Sequence, residues 1–387
     1  MAKRKRSKKQ ELEMPKQDLV GILGAIPDPR VERGKFHKLE DILTIAACSM
    51  ICRGDHFTDM EEFGLARREW LEGFLELPHG IPSHDTFRRV FLVLDPAVFL
   101  EAFSCWTQGV REVLGGGIVA IDGKALRRAV DSGEKAQVIV GAWAEQAGIS
   151  LGQVKVDEKS NEITALPKLL DMLDLEGCIV TIDAMGCQKQ VAAKIREQGG
   201  DYVLALKGNQ GNLHAQVEAY FEESLACGNM DGQCFEESAR GHGREEVRRC
   251  WVSDDLDQWL EGREQWRDLR SVAMVQSERS VKGVTTRERR FYISSLAPEA
   301  DTIGRAARSH WGIENSMHWV LDVTFREDES RVRRGHAPEN LALLRRWSHA
   351  LIKSHDPNSK KSVRLRRVRA TLDPDYLVEL LGTELHA

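Results

Sequence analysis

Two aspartates in the sequence stand where strand-forming apolar segments reach a charged residue and then turn. Asp122 follows IVAI at 118–121, and Asp183 follows CIVTI at 178–182. A buried, ionised Asp without a partner is unfavourable, so a carboxylate in this position caps a turn or holds a charged group. One such Asp is a common turn residue, but two on neighbouring strands repel each other unless a divalent cation lies between them. Because oxygen ligands with few His or Cys nearby favour Mg²⁺ or Mn²⁺ over zinc, the pair predicts a site for these ions.

The elements around the two aspartates follow an order that places them side by side. Seven segments follow one another: strands at 118–124, 137–146 and 149–156, a helix at 163–174, a strand at 178–184, a helix at 188–198 and a strand at 201–207. This β-β-β-α-β-α-β order matches the ribonuclease H-like arrangement, in which the first and fourth strands are neighbours. We therefore expect a mixed α/β fold with a ribonuclease H-like core. A third acidic ligand is expected from a later helix, where the segment at 302–325 contains Glu314.

The remaining segments predict how the chain is divided into domains. The 387 residues are 42% apolar and 30% charged, which is typical of a folded protein with two or three domains. Between the last core strand and the Glu314 helix, strand-like segments at 245–253, 271–278 and 285–296 predict a β-rich insertion. The predicted parts are a basic disordered tail at 1–17, a helical N-terminal domain at 18–115, a ribonuclease H-like catalytic domain at 116–350 with the insertion at about 208–300, and a basic C-terminal segment at 351–387.

Basic residues are concentrated in three segments, although the formal net charge is −5. The first ten residues and the segment at 360–369 contain six basic residues each. The third cluster consists of Arg326, Arg331, Arg333, Arg334, Arg345 and Arg346. A single basic run is commonly a solvated surface, whereas three such runs predict a nucleic-acid partner.

The sequence contains no segment typical of a membrane span or a secretory signal. The longest apolar run, at 43–52, is too short to cross a bilayer. The eight cysteines include no CxxC pair and predict free thiols. We expect a cytoplasmic, nucleoid-associated protein with no membrane partner.

Five motifs give the sequence a family resemblance. They are IDGKALRRA at 121–129, TIDAMGCQ at 181–188, LALKGNQ at 204–210, HWGIENSMHWVLDVTFRED at 310–328 and RRGHAPENLALLRR at 333–346. Over nearly the whole chain, the sequence resembles the DDE transposases of bacterial insertion sequences, specifically the ISAs-type group that includes the H-repeat-associated proteins. The resemblance implies a ribonuclease H-type catalytic core, an associated helical N-terminal domain and an inserted β region. It also implies that Asp122, Asp183 and Glu314 are the catalytic, metal-binding triad.

The resemblance implies an enzyme that cleaves DNA strands and transfers them during movement of an insertion sequence. Two Mg²⁺ or Mn²⁺ ions serve such chemistry by in-line displacement at phosphorus. One ion activates the attacking water or 3′-hydroxyl, and the other stabilises the leaving oxygen. We expect Asp122 to bridge the ions, with Asp183 and Glu314 each completing one. The expected partners are double-stranded DNA, as terminal repeats and as target, and a second copy of the chain in a homodimer on DNA.

Ten basic residues are candidates for contacts with DNA. Related groups carry Tyr and Arg seven and four residues before the catalytic Glu and Lys seven after it, where this chain has Ala, His and Leu. We expect Arg305, Arg308 and Arg326 to contact the DNA ends instead. The other predicted contacts are Lys124, Arg127, Arg128, Lys207, Arg331, Arg333 and Arg334. Trp residues near the proposed site, Trp311, Trp319 and Trp347, either hold an unpaired base or pack in the core.

One alternative is a zinc or iron metallohydrolase. His310, Glu314, His318 and Asp322 recur at intervals of four, which lines them along one face of a helix. Two His and a carboxylate suit zinc or iron. However, the segment has no HExxH motif, and this interpretation leaves the two aspartates unexplained.

The other alternative is a non-catalytic DNA-binding protein, either a decayed transposase or one retained for regulation. All three acids of the triad are present, which favours an intact catalyst. DNA binding without metal-dependent nicking would favour the non-catalytic class, and zinc-dependent hydrolysis of a small ester would favour the metallohydrolase.

Overall fold

The computed structural model describes residues 18–114, 116–128, 136–156, 161–228, 234–241 and 244–383. The predicted tail at 1–17 lies outside these residues. The described residues divide into two compact units. The first unit draws on Met1–Gly115, Ala147–Ile149 and Leu321–Ala387, and the second on Gly116–Gln146 and Ser150–Val320.

Fourteen α-helices lie within the described residues. They are α1 (Leu19–Gly24), α2 (Leu39–Ile51), α3 (Phe57–Ala66), α4 (Arg68–Leu71), α5 (His84–Val93), α6 (Pro96–Leu114), α7 (Glu162–Asp171), α8 (Lys189–Glu197), α9 (Gly211–Ala226), α10 (Ala300–Gly312), α11 (Trp319–Val323), α12 (Ala337–His355), α13 (Val363–Leu372) and α14 (Pro374–Leu381). A π-helical turn, Ile313–His318, joins α10 to α11. The helices predicted for the N-terminal part of the chain are thus present.

In the part of the chain that the structure describes, nine strands form one sheet. They are β1 (Ile118–Leu126), β2 (Gln137–Ala144), β3 (Ile149–Lys155), β4 (Ile179–Ile182), β5 (Asp201–Leu206), β6 (Cys234–Gly241), β7 (Arg244–Ser253), β8 (Ser271–Val281) and β9 (Val284–Ser294). Their order is β3-β2-β1-β4-β5-β9-β8-β7-β6. β1, β4 and β5 are parallel, while β2 and the strands from β9 to β6 pair antiparallel. The fold is mixed α/β, and its first five strands have the predicted ribonuclease H-like order.

The register between β1 and β4 brings the two aspartates together. Ile121 lies opposite Ile182, so Asp122 and Asp183 follow at adjacent positions. The turn predicted at Asp122 is wrong, because β1 keeps pairing with β2 as far as Leu126. The apolar pattern of β1 stops where its parallel neighbour β4 ends. On the other edge of β1, the antiparallel pairing with β2 continues.

The inserted strands extend the core sheet. β7, β8 and β9 correspond to the three predicted strand segments, and β9 joins the core by pairing with β5. β6 was missed because its residues are polar and exposed, as is typical of an edge strand. α10 packs on this sheet through Ile303, Ala306 and Ala307, which contact buried residues of β5, β7, β8 and β9. The helix carrying the candidate acid is therefore fixed to both core and inserted strands.

The first unit is organised around α12. Every residue of α12 from Leu341 to Ile352 is buried, which is typical of a helix surrounded by other helices. Its two arginines, Arg345 and Arg346, are only 2% and 1% exposed. Arg346 pairs with the buried Glu327 at 3.0 Å. These two arginines were predicted as part of a nucleic-acid surface, and that interpretation is wrong because their charges lie inside the helical core.

The basic segment at 360–369 is likewise partly internal. Arg367 is 2% exposed and donates hydrogen bonds to the Met50 and Ile51 carbonyls at the end of α2. Its guanidinium also lies 4.1 Å from the ring centre of Phe325. The last carbonyls of a helix have no partner within it, so this arginine satisfies the end of α2. Arg366 is buried as well, which leaves only part of the segment available to a polyanion.

None of the described helices is long and apolar enough by itself to cross a membrane. One bent pair, formed by α5 and residues Pro96–Gln108 of α6, reaches the required length and composition together. All eight cysteines have free thiols.

Acid should destabilise the first unit through His349, which is fully buried in α12. Burial, helped by the charges of Lys353, Arg366 and Arg346, lowers the pKa of His349 to about 3. Below the ordinary His pKa, the unfolded chain binds a proton that the folded chain excludes, so stability falls as the pH decreases. Between pH 7 and pH 5 the parent should lose about 2 kcal/mol more free energy of unfolding than His349→Gln.

Urea unfolding at both pH values measures this difference, and the exposed His336→Gln is the matched control. If the parent and His349→Gln lost equal stability, the assignment of acid sensitivity to His349 would be contradicted.

Candidate active site

Asp122 lies within β1, and its side chain is only 18% exposed. The Gly123 N–H donates a hydrogen bond to Oδ1 at 2.8 Å. The other oxygen, Oδ2, is 3.6 Å from Nδ1 of His318. The carboxylate is thus oriented by its own strand on one side and faces the π-helical turn on the other.

Asp183 directly follows β4 and caps the short 3₁₀ turn Ala184–Gly186. Its Oδ1 accepts hydrogen bonds from the Met185 and Gly186 N–H groups at 3.0 and 3.4 Å. Within the described residues, Oδ2 accepts no hydrogen bond. A capping Asp therefore holds one oxygen in place and presents the other to the site.

Glu314 is exposed in the π-helical turn after α10. His310, one turn earlier, is within 3.3 Å of the Thr181 hydroxyl on β4, two residues before Asp183. This contact anchors the end of α10 to the strand that ends at Asp183. The π-helical turn then places one more residue in the turn than an α-helix would, a feature frequent at functional sites.

The three acids line one cavity of about 230 Å³. Lys207, at the end of β5, and Arg290, on β9, also line it. The Arg290 guanidinium lies 4.2 Å from the ring centre of Trp311. The structure thus brings the predicted triad together with one predicted DNA contact, Lys207, and with two arginines that were not predicted, Arg289 and Arg290.

The electrostatics of the cavity favour an added cation. Burial and the charges of Asp183, Glu314 and Glu162 together raise the pKa of Asp122 to about 7, although the Gly123 hydrogen bond opposes this. No Lys or Arg of the described residues forms an ion pair with any of these four acids. Such a group repels itself, and a divalent cation relieves the repulsion.

The donor set fits a hard ion that retains water and substrate oxygens. Among the described residues, no three His, Cys, Asp or Glu side chains are gathered closely enough to form a metal site by themselves. Mg²⁺ is commonly held by one or two carboxylates together with water and phosphate oxygens, so it does not require a closed protein cage.

The His stripe of the metallohydrolase interpretation does not gather at one point. His310 contacts Thr181, whereas His318 faces Asp122. The π-helical turn between them breaks the spacing of four on which that interpretation depended. Burial lowers the pKa of His310.

A second, larger cavity of about 560 Å³ lies along the inserted strands and α10. It shares Arg290, Trp311 and Glu314 with the acidic cavity, so the two are adjacent. Arginines of α10 and of three strands line it: Arg244, Arg248, Arg249, Arg279, Arg287, Arg290 and Arg308. We call this cavity the arginine groove. Five glutamates also line it, and several of them pair with these arginines, as Glu237 does with Arg308.

The other predicted DNA contacts lie in different environments and stay predictions. Lys124 is 7% exposed within β1, whereas Arg127 and Arg128 are exposed just after it. Arg305 pairs with Asp301 at 3.4 Å on α10. The remaining four are exposed residues of the first unit: Arg326, Arg331, Arg333 and Arg334. Of the tryptophans, Trp347 is buried and belongs to the core, while Trp311 and Trp319 are 39% and 58% exposed.

Two features of the site were missed by the sequence analysis. Glu162, the first residue of α7, lies against Gly123, and Arg290 lies in the wall that the two cavities share. A Glu at the start of a helix ordinarily indicates only a favourable interaction with the helix dipole. Arg290 follows two other arginines of β9, Arg287 and Arg289. Neither position carries a local signal of its role, because each depends on strand pairings far away in the sequence.

Comparison with known proteins agrees with the family resemblance. A family model described as "DDE_Tnp_1-associated" matches residues 20–107, and one described as "Transposase DDE domain" matches residues 114–351. The chain is 38% identical to "Putative transposase YncI" of Escherichia coli O157:H7 over 95% of both chains. It is 37% identical to "H repeat-associated putative transposase YhhI" of Escherichia coli K12, over 95% of this chain and 99% of that one.

A solved structure, "Cryo-EM structure of piggyBac transposase synaptic complex with hairpin DNA (SNHP)", matches 94% of this chain and 78% of that one. Its sequence identity is 10% and its TM-score 0.41, which adds nothing to the assignment. The family models and the two bacterial relatives do show it. The chain belongs to the DDE transposase family, whose members are enzymes that cut and join DNA.

Proposed function

We propose that the chain catalyses divalent-metal-dependent cleavage and strand transfer of the DNA of an insertion sequence. The observation that carries the proposal is the cavity in which Asp122, Asp183 and Glu314 meet without a Lys or Arg ion-pair partner among the described residues. These three residues would hold two Mg²⁺ or Mn²⁺ ions. When bound, such ions activate the attacking water or 3′-hydroxyl and neutralise charge on the phosphate.

The chain's own groups hold these carboxylates ready for metal. The Gly123 N–H orients Asp122, and the N–H groups of the 3₁₀ turn orient Asp183. The contact between His310 and Thr181 fixes the helix that ends near Glu314. Rotamers fixed in advance lower the cost of ordering the site when substrate binds.

The DNA substrate would approach along the arginine groove. A phosphate at the acidic cavity lies beside Lys207 and Arg290, and the neighbouring phosphates of the strand can follow the groove. Arginine suits this role because its planar group binds phosphate oxygens in pairs. The DNA would be the element's terminal repeats and its target, held by two copies of the chain.

Substitution of the triad should slow metal-dependent cleavage about 100-fold or more without preventing folding. Asp183→Asn and Glu314→Gln each remove a charge that would hold metal, at a cost of about 3 kcal/mol or more in the transition state, or roughly 100-fold in rate. The assay is nicking of labelled duplexes that span the DNA flanking this reading frame, with Mg²⁺ or Mn²⁺.

Asp254→Asn, an exposed substitution after β7, should cleave like the parent. Cleavage that survived in both triad variants would place the active site elsewhere. Duplex binding by the parent without cleavage would favour the non-catalytic alternative.

Arginines of the groove should account for part of the salt dependence of DNA binding. Each lost phosphate contact should reduce the slope of log K against log salt by about 0.9. Arg287→Gln and Arg308→Gln should therefore weaken binding to the flanking duplex at low salt and flatten its salt dependence. The matched control is Arg267→Gln, an exposed arginine outside the groove. Unchanged slopes in both groove variants would show that the DNA takes another path.

A further inference from the structure

We propose that Glu162 is a fourth carboxylate of the metal site, holding a divalent cation together with the triad. The inference rests on the proposed function, because it assigns a further ligand to the same ions. It is carried by the position of the Glu162 carboxyl group relative to β1.

The Glu162 carboxyl group and the Asp122 carboxyl group both lie against Gly123. A Cβ built on Gly123 would lie 2.5 Å from the Glu162 carboxyl carbon and 2.6 and 2.7 Å from its two oxygens. The N–H of the same Gly123 donates to Asp122 at 2.8 Å. Only a residue without a side chain at position 123 leaves room for the second carboxylate.

Beyond the end of β4, no described strand pairs with β1 on its β4 edge. The parallel pairing of β1 with β4 stops at Ile121 and Ile182, so Gly123 extends beyond the end of β4. Successive residues of a strand point to opposite faces, which puts Glu162 on the face opposite that of the Asp122 side chain. His318, beside Glu314 in the π-helical turn, faces Asp122. Glu162 therefore reaches the strand end from the side that the triad leaves open.

Among the described residues, none is a partner for the charge of Glu162. Its side chain takes part in no hydrogen bond and no ion pair with them. It is only partly exposed, and burial raises its pKa, with the charge of Asp183 raising it further. Asn161, which caps α7, makes no side-chain hydrogen bond to the helix, so the start of α7 shows no capping network in which Glu162 takes part.

A purely structural role for Glu162 predicts different behaviour. A Glu in the first turn stabilises its helix through the dipole, so its loss would destabilise the protein whether or not metal is present. A metal ligand that repels Asp122 and Asp183 has the opposite effect on the metal-free protein. Removing its charge relieves repulsion there and weakens only the response to metal.

The test has two measurements on the full-length protein. A titration with Mn²⁺ is monitored by the electron paramagnetic resonance signal of the free ion, and thermal unfolding is measured with and without Mn²⁺. Glu162→Gln should weaken Mn²⁺ binding roughly ten- to hundredfold. Its metal-free melting temperature should be at least that of the parent, and the rise caused by Mn²⁺ should shrink. Glu197→Gln, the same change at an exposed position on α8, should behave as the parent.

Gly123→Ala provides an independent test that leaves Glu162 in the chain. The new Cβ requires the flexible end of Glu162 to move away, so Mn²⁺ binding should weaken as it does in Glu162→Gln. Because both changes act on the same contact, the double variant should bind Mn²⁺ no more weakly than Glu162→Gln alone.

Asp183→Asn separates this inference from the proposed function. If Asp183→Asn weakens Mn²⁺ binding while Glu162→Gln matches Glu197→Gln, the inference is overturned and the triad stands. A Glu162→Gln variant whose metal-free melting temperature is below that of the parent, and whose Mn²⁺ affinity equals that of the parent, would likewise show a structural role. Absence of Mn²⁺ binding in the parent would overturn both proposals.

Discussion

The repulsion among carboxylates at the end of two parallel strands is the constraint on which the site depends. Adjacent positions on β1 and β4 bring Asp122 and Asp183 together, and the chain places Glu314 in the same cavity and Glu162 beside Gly123. Charges this close destabilise a fold unless a cation compensates them, because burial removes the water that screens them. The absence of Lys or Arg ion pairs to them among the described residues leaves a net negative site that suits a divalent cation.

The rest of the second unit keeps this unfavourable arrangement in place. α10 is packed on both the core strands and the inserted strands, and His310 ties its end to β4. The inserted strands continue the sheet of the core, so the arginine groove and the acidic cavity are both built on one sheet. A site that must hold repelling groups in fixed positions is best built on such elements, because loops would let the carboxylates separate.

The sequence predicts the core of the fold and the triad, because those features have local signals. The strand order follows from the succession of elements along the chain. Apolar strands reach Asp122 and Asp183, and helical segments lie between the later strands. The turn at Asp122 was wrongly predicted because β1 loses its neighbour β4 there but keeps its other neighbour, β2. Arg345, Arg346 and Arg367 were misinterpreted for a related reason, since a run of basic letters does not show which guanidinium groups satisfy buried carboxylates and carbonyls. Glu162 and Arg290 depend on distant strand pairings and have no local signal at all.

The most direct test of the account is a crystal structure of the protein with Mn²⁺, in which the ions are located by their anomalous scattering. The account predicts Mn²⁺ between Asp122 and Asp183 in the acidic cavity. Mn²⁺ bound by His310 or His318 away from both aspartates, or no ordered ion in the cavity at saturating Mn²⁺, would contradict it.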